Sequence, residues 1–271
     1  MLPGFTVEVL PEVDSTNSEL LRRFKSACGA SGVQPEPEVL LLVAERQSAG
    51  RGRLGRQWQS ARGASLTFSL GLMLKPRDWS GLSLAVGVSV AESLDPAPEG
   101  PRRIGLKWPN DLWFTTANGE RKLAGILVET ASWDGLRYAV IGVGVNIEPV
   151  ALAQVAASVP AMAPVAPGCL GELGTGIDAP QALLRIVPAL VAAVRAFEQS
   201  GFAPFQTRFA ARDVLAGRAV QLSDGTQGTA EGVAGNGALR LLTPEGMREI
   251  SSAEVSVRPA LPADAKAFLP C

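Results

Sequence analysis

The 271-residue sequence contains no histidine. That absence removes Ser-His-Asp and Cys-His nucleophilic chemistry and the commonest metal ligand. Catalysis has to come from Lys, Arg, Asp, Glu, backbone N–H groups or a bound cation. Cysteine is scarce: Cys28, Cys169 and Cys271 are odd in number and far apart, so neither a disulfide framework nor a four-cysteine zinc site follows. Neither sign of charge is in excess, with 25 basic and 26 acidic residues. Without a basic field or an acidic tail, nucleic acid is not an expected partner. The segment Met1 to Asp14 lacks a basic n-region and an apolar h-region, so no secretory signal is visible and the cytoplasm is the expected compartment. Pro149 to Gly171 is uncharged and long enough to span a membrane, but it holds Pro149, Pro160, Pro164 and Pro167. It is expected to be a flexible surface connection, and no membrane partner is expected.

What is present supports a folded enzyme-sized unit. Hydrophobic residues make up 46% and charged residues 19%, which allows a sizeable core in one large domain with or without a small appendage. Asp14-Ser15-Thr16-Asn17 is a run of helix-capping residues, with Thr16 and Glu19 at capping-box spacing ahead of Leu20, Leu21 and Phe24. Polar side chains are thus delivered to the mouth of a helix. Gly29 to Pro37 reads as a loop, Val39 to Glu45 as a buried strand, and Ser65 to Leu74 as a further strand. Leu82 to Leu94 reads as a helix and Ile104 to Trp108 as a short strand. Lys122 to Thr130 and Leu136 to Ile147 are strands that can pair around Asp134-Gly135. Gln181 to Gln199 is an amphipathic helix with Pro188 as an expected kink. From Val214 to Pro259, short strands separated by Asp224-Gly225, Asn236-Gly237 and Glu245-Gly246 outline a small antiparallel barrel. A domain boundary is expected at 211–214.

The most informative segment is Gly50-Arg51-Gly52-Arg53-Leu54-Gly55-Arg56. Its glycines match G-x-G-x-x-G, but a dinucleotide-binding loop must open a helix, and this one leads into Trp58 and a strand. Glycine lets backbone approach an anion and arginine supplies forked donors, so the alternation suits an anion-wrapping loop. Read alone, it also fits a solvated basic hairpin. Lys107-Trp108-Pro109-Asn110-Asp111 puts a lysine at a strand end and a carboxylate in a tight turn, and alone it is also an ordinary turn. Lys122-Leu123-Ala124-Gly125-Ile126-Leu127-Val128-Glu129 opens a strand with a lysine and carries a glycine that leaves room for a ligand. Gly142-Val143-Gly144-Val145-Asn146 has two more such glycines, or a bulge. Together, these lysines, arginines, the aspartate and the strand glycines suit a site where phosphate meets carboxylate.

In order and spacing these segments resemble the biotin–protein ligases, from about Glu12 to Pro259. The resemblance implies an α+β fold: a mixed-sheet catalytic domain of the biotin/lipoate ligase type over residues 1–211, then a small SH3-like β-barrel over 212–271. It implies ATP-dependent activation of biotin to biotinyl-5′-AMP, with Mg²⁺ accompanying ATP, then transfer to a lysine of a biotin carboxyl carrier domain. Carried onto this chain, Ser15, Thr16, Asn17 and Gln47 would hold or border the ureido ring. Gly50, Arg51, Gly52 and Arg53 would close over biotin, and Gly125 and Ile126 would line its pocket. Lys122 would grip the biotin carboxylate and α-phosphate, and Asp111 would orient or deprotonate the incoming lysine. Arg51, Arg53, Arg56, Trp58, Lys107, Asn110, Lys122 and Asn146 would serve the ATP side. Catalysis would rest on Lys122, Arg53 and Asp111. Some family members carry an N-terminal DNA-binding winged helix. The 13 residues before Asp14 are too few for one, so DNA is not an expected partner. Monomers and homodimers both occur in the family. A lipoate or octanoate ligase of the same fold and a non-catalytic biotin-binding module are the alternatives.

Overall fold

The computed structural model describes residues 5–31, 39–96, 102–117, 119–149, 165–251 and 257–259. The chain starts with β1 (Phe5–Leu10), α1 (Thr16–Ser31) and β2 (Val39–Ala44). The helix cap falls one residue earlier than the Thr16–Glu19 spacing suggests. The Ser15 side chain meets the Ser18 N–H in a long 3.5 Å contact, and Glu19 instead pairs with Arg22 and Arg23. Thr16 is thereby released for another partner.

Next come β3 (Ser65–Met73), α2 (Leu82–Leu94), β4 (Ile104–Lys107), β5 (Asp111–Thr116), β6 (Gly119–Trp133) and β7 (Leu136–Asn146). Among the described residues, seven strands form one sheet in the order β1-β2-β3-β7-β6-β5-β4. β1 runs parallel to β2 and the other pairs are antiparallel, so the sheet is mixed. The Asp134-Gly135 turn joins β6 to β7, and both residues adopt positive φ, 46° and 73°. This is the geometry that a two-residue hairpin turn requires.

The period-2 alternation of β2 sends Leu42 to one face and Leu41 and Val43 to the other. Leu42 packs with Leu20 and Phe24 of α1 and with Tyr138 and Val140. Leu41 and Val43 join the main core with α2 and α3 (Ala179–Ser200). The sheet therefore lies between α1 and the α2–α3 pair. α3 is capped by Asp178, whose carboxylate accepts the Gln181 N–H at 2.8 Å. Its 22 residues are long and apolar enough to cross a membrane, yet Ile186, Leu190, Val194 and Phe197 are buried in the core. α3 is a core helix that carries Pro188 within it.

After α4 (Gln206–Ala210) come β8 (Ala219–Leu222), β9 (Gln227–Val233), β10 (Leu239–Thr243), β11 (Gly246–Ile250) and β12 (Val257–Pro259). They form an antiparallel sheet in the order β11-β10-β9-β8-β12. This α+β architecture, a mixed sheet followed by a small antiparallel one, agrees with the expected class. The two sheets are pinned together. Trp108 is fully buried and its Nε1–H donates to the Gly237 carbonyl at 3.0 Å. Arg212, also buried, binds the Asp95 carboxylate at 3.0 Å and the Ile104 carbonyl at 2.8 Å.

The structure also differs from the sequence reading in its strands and in one connection. β1 and β5 were not anticipated. The uncharged Pro149–Gly171 stretch lies mostly outside the described residues, but its end is no loose surface connection. The Lys122 N–H donates to Ala166 and the Gly168 N–H donates back to Lys122, both at 2.9 Å, so this segment is fastened to β6.

Candidate active site

A cavity opens where the N-terminus of α1, the loop 50–58 and strands β3, β6 and β7 meet. Its inner end is polar and tightly partnered. Gln47 Oε1 accepts the Thr16 N–H at 2.8 Å and the Thr16 hydroxyl at 3.1 Å. Ser69 Oγ, fully buried, lies 2.7 Å from Thr16 Oγ1 and 2.6 Å from Asn17 Oδ1. Asn17 Nδ2 donates to the Leu127 carbonyl at 3.2 Å and to Glu129 at 2.9 Å. Ser15 and the aliphatic Ile126 and Leu127 complete this end.

The loop 50–58 is a hairpin over the cavity. The Trp58 N–H donates to Gly50 at 2.9 Å and the Gly52 N–H donates to Arg56 at 2.7 Å. A Cβ on Gly50 would stand 2.3 Å from the Trp58 carbonyl oxygen, so only glycine fits. Arg51 ties the loop to the cavity floor through Glu129, 3.0 Å away. Glu129 thus joins Arg51 to Asn17. Arg53 is desolvated by burial, which pulls its proton affinity down, while Asp111 acts in the opposite sense and Arg56 adds repulsion.

At the outer end stands a charged junction. Lys122 Nζ lies 2.6 Å from Asp111 Oδ1, an ion pair rather than an aligned hydrogen bond. Lys107 Nζ lies 4.0 Å from Asp111 Oδ2. The Lys107 and Asp111 side chains are almost wholly buried, whereas that of Lys122 is 31% exposed. Burial is the main cause that drops the Lys107 pKa to about 8; Asp111 opposes it, and Lys122, Arg56 and Arg258 reinforce it.

A second cavity lies on the other side of Trp58. Gln59, Asn146, Glu148, Pro167, Gly168 and Cys169 line it, and it shares Arg56, Gln57, Trp58 and Lys122 with the first. Asn146 Nδ2 donates to Gly168 at 2.9 Å and to the Lys122 carbonyl at 3.3 Å. Lys122 therefore sits where two cavities meet, and the Trp58 ring forms the wall between them, with its Nε1 buried and without a hydrogen-bond partner among the described residues.

The structure brings together most of the residues singled out in the sequence. Ser15, Thr16, Asn17, Gln47, Arg51, Gly52, Arg53, Arg56, Trp58, Asn110, Asp111, Lys122, Gly125 and Ile126 all line the first cavity. Asn146 lines the second, Gly50 shapes the loop, and Lys107 stands behind Asp111 without lining either cavity. Gly125 and Gly142 line the first cavity, and two of the strand glycines have a further use. A Cβ on Gly142 would fall 2.3 Å from Asn17 Oδ1, and one on Gly144 would fall 2.4 Å from the Trp58 ring. They make room for site side chains. Ser69 and Glu129 were missed. Ser65, Thr67 and Ser69 alternate along β3, which puts three polar groups on one buried face and could have flagged the first.

Comparisons with known proteins point to one family. Residues 29–146 match the model of the Biotin/lipoate A/B protein ligase family, and residues 216–258 match that of the Biotin protein ligase C terminal domain. The chain is 36% identical to the bifunctional ligase/repressor BirA of Escherichia coli K12, over 96% of this chain and 76% of that protein. It is 33% identical to the biotin–[acetyl-CoA-carboxylase] ligase of Paracoccus denitrificans, over 91% and 98%. The solved biotin protein ligase of Aquifex aeolicus in complex with biotin and ATP superposes with a TM-score of 0.71 at 31% identity, covering 94% of this chain and 99% of that one. Fold and site define a carboxylic-acid–protein ligase of the biotin/lipoate class. The chain belongs to the Biotin/lipoate A/B protein ligase family and, with its matching C-terminal domain, to the biotin protein ligases within it.

Proposed function

We propose that the chain activates biotin with ATP and transfers it to a lysine of a biotin carboxyl carrier domain. The observation that carries this reading is the position of Lys122, on the seam between two cavities and against Asp111. One cavity has a polar inner end suited to a ureido ring, where Thr16, Asn17 and Gln47 offer both donors and acceptors. The other, beyond Trp58, is assigned to the nucleotide. A solved relative holds biotin and ATP together, which supports a site with room for both.

Adenylation brings two anions together, and their repulsion must be offset by cations in a site with little water. Lys122 is placed to meet the acid's carboxylate and the α-phosphate, and Arg51, Arg53 and Arg56 overlie the same space. A carboxylate oxygen attacks the α-phosphorus, and pyrophosphate leaves with the electrons of the broken P–O bond. In the second step the acceptor amine attacks the anhydride carbonyl, AMP departs, and Asp111 takes the amine proton. The glycine-hinged loop, closing as a lid, would keep water from the anhydride. Among the described residues no group of three His, Cys, Asp or Glu side chains converges on a metal. Mg²⁺ would then arrive on the triphosphate as part of the nucleotide substrate. We place the division between catalytic and C-terminal domains at 211/212 and the working compartment in the cytoplasm.

The test is acid-dependent ATP–pyrophosphate exchange, with biotin, lipoate and octanoate run side by side. Exchange with biotin alone is expected. Exchange with lipoate or octanoate instead would move the chain to the other branch of the family. No exchange with any acid would leave a binding module.

A further inference from the structure

Lys107, Asp111 and Lys122 form a compact cluster with two cations and one carboxylate. Lys107 ends β4, directly opposite Asp111 in the β4–β5 ladder. Its side chain is 7% exposed, and its ammonium lies 5.6 Å over the Trp113 ring and stops 4.0 Å short of Asp111 Oδ2. It lines neither of the two cavities. Lys122 does line both cavities, yet in the structure its charge is engaged by Asp111 at 2.6 Å.

That pairing conflicts with the role given to Lys122 above. To meet the substrate anions, Lys122 must give up part of its bond to Asp111. A buried carboxylate that loses its nearest cation is costly, and the cost would hold Lys122 back. A second cation behind the carboxylate removes the conflict. We propose that Lys107 is a positioning residue that acts through Asp111: it is the standing counter-ion that holds the carboxylate when Lys122 turns to the substrates. The inference rests on the ligase reading and deepens it.

The charged groups facing Lys107 are Asp111 on β5, Lys122 on β6, Arg56 on the loop and Arg258 on β12. Burial and the three cations together bring its pKa to about 8, against the pull of Asp111. As pH rises through that value Lys107 loses its charge, Asp111 reclaims Lys122, and adenylation falls.

Biotin-dependent ATP–pyrophosphate exchange should be followed across pH for the wild type, Lys107→Met, Lys107→Arg, Asp111→Asn and the Lys107→Met/Asp111→Asn double variant. Near neutral pH, Lys107→Met is expected about tenfold below wild type, a size ordinary for coupled charges in contact. The gap should close at alkaline pH. Lys107→Arg, which keeps its proton throughout, should hold its rate where wild type declines. Asp111→Asn in the Lys107→Met background should recover most of the loss, because no carboxylate is left to hold Lys122. A Lys107→Met deficit that is constant across pH and simply multiplies with that of Asp111→Asn would overturn the proposal and leave Lys107 a packing residue. Absence of exchange in the wild type would instead overturn the ligase reading, and the inference with it.

Discussion

The two ends of the first cavity are built on opposite terms. At the inner end the polar groups of Thr16, Asn17, Gln47 and Ser69 are linked to one another by contacts of 2.6–3.1 Å, and Asn17 is further held by Glu129 at 2.9 Å. Such a network is rigid before any ligand arrives. At the outer end the charges do not balance: Lys107 and Lys122 share Asp111, and Arg53 lies nearby in a desolvated position. An internally satisfied network can recognise a neutral ring by shape and hydrogen bonding. A surplus of buried positive charge is what two approaching anions need. On the proposed function, recognition and chemistry thus occupy separate ends of the first cavity, with Lys122 at the outer end where the second cavity begins.

Substitutions at the two ends should then fail differently. The largest effect is expected for Lys122→Ala, whose biotin-dependent exchange at saturating substrates should fall about a thousandfold, the size typical of losing a key electrostatic group. Full activity in this variant would contradict the mechanism. Gly142→Ala should act at the other end. Its new methyl meets Asn17 Oδ1 at 2.3 Å, so the KM for biotin should rise about a hundredfold while the limiting exchange rate changes little. A fall in the limiting rate with unchanged KM would erase the distinction. Arg53→Ala should lower exchange by less than Lys122→Ala does and raise the release of free biotinyl-AMP by about tenfold, measured by trapping the intermediate in the absence of acceptor. The smallest effect compares two tryptophans. Trp108→Phe breaks the 3.0 Å bond to Gly237 and should lower stability by at least about 1 kcal/mol in denaturant unfolding. Trp58→Phe deletes a buried N–H that has no partner among the described residues and should cost less.

Much of this contrast was legible in the sequence, because the site segments carry local signals. Capping residues announce the start of α1, glycine alternating with arginine announces the loop, and Asp134-Gly135 fixes the β6–β7 hairpin. The parts that were not legible depend on partners far away in the chain. β1 is a six-residue edge strand whose ladder with β2 is closed across the whole of α1. β5 follows directly on the turn at Asp111 and declares itself only through its pairing with β4 and β6. The site position of Glu129 comes from Asn17, 112 residues away. The family resemblance puts Lys107 on the ATP side, but its place opposite Asp111, behind the carboxylate, follows only from the hairpin register. Trp108, one residue on, serves the junction between the two sheets, so a single five-residue motif divides its members between chemistry and assembly.

The most direct test of the separation is to measure biotin binding without ATP, and pyrophosphate exchange with it, on one preparation of Lys122→Met. The account predicts that biotin still binds, within about tenfold of wild type, because the ring is held at the inner end, while exchange is lost. Loss of binding in step with loss of exchange would contradict it, since recognition and chemistry would then rest on the same residue.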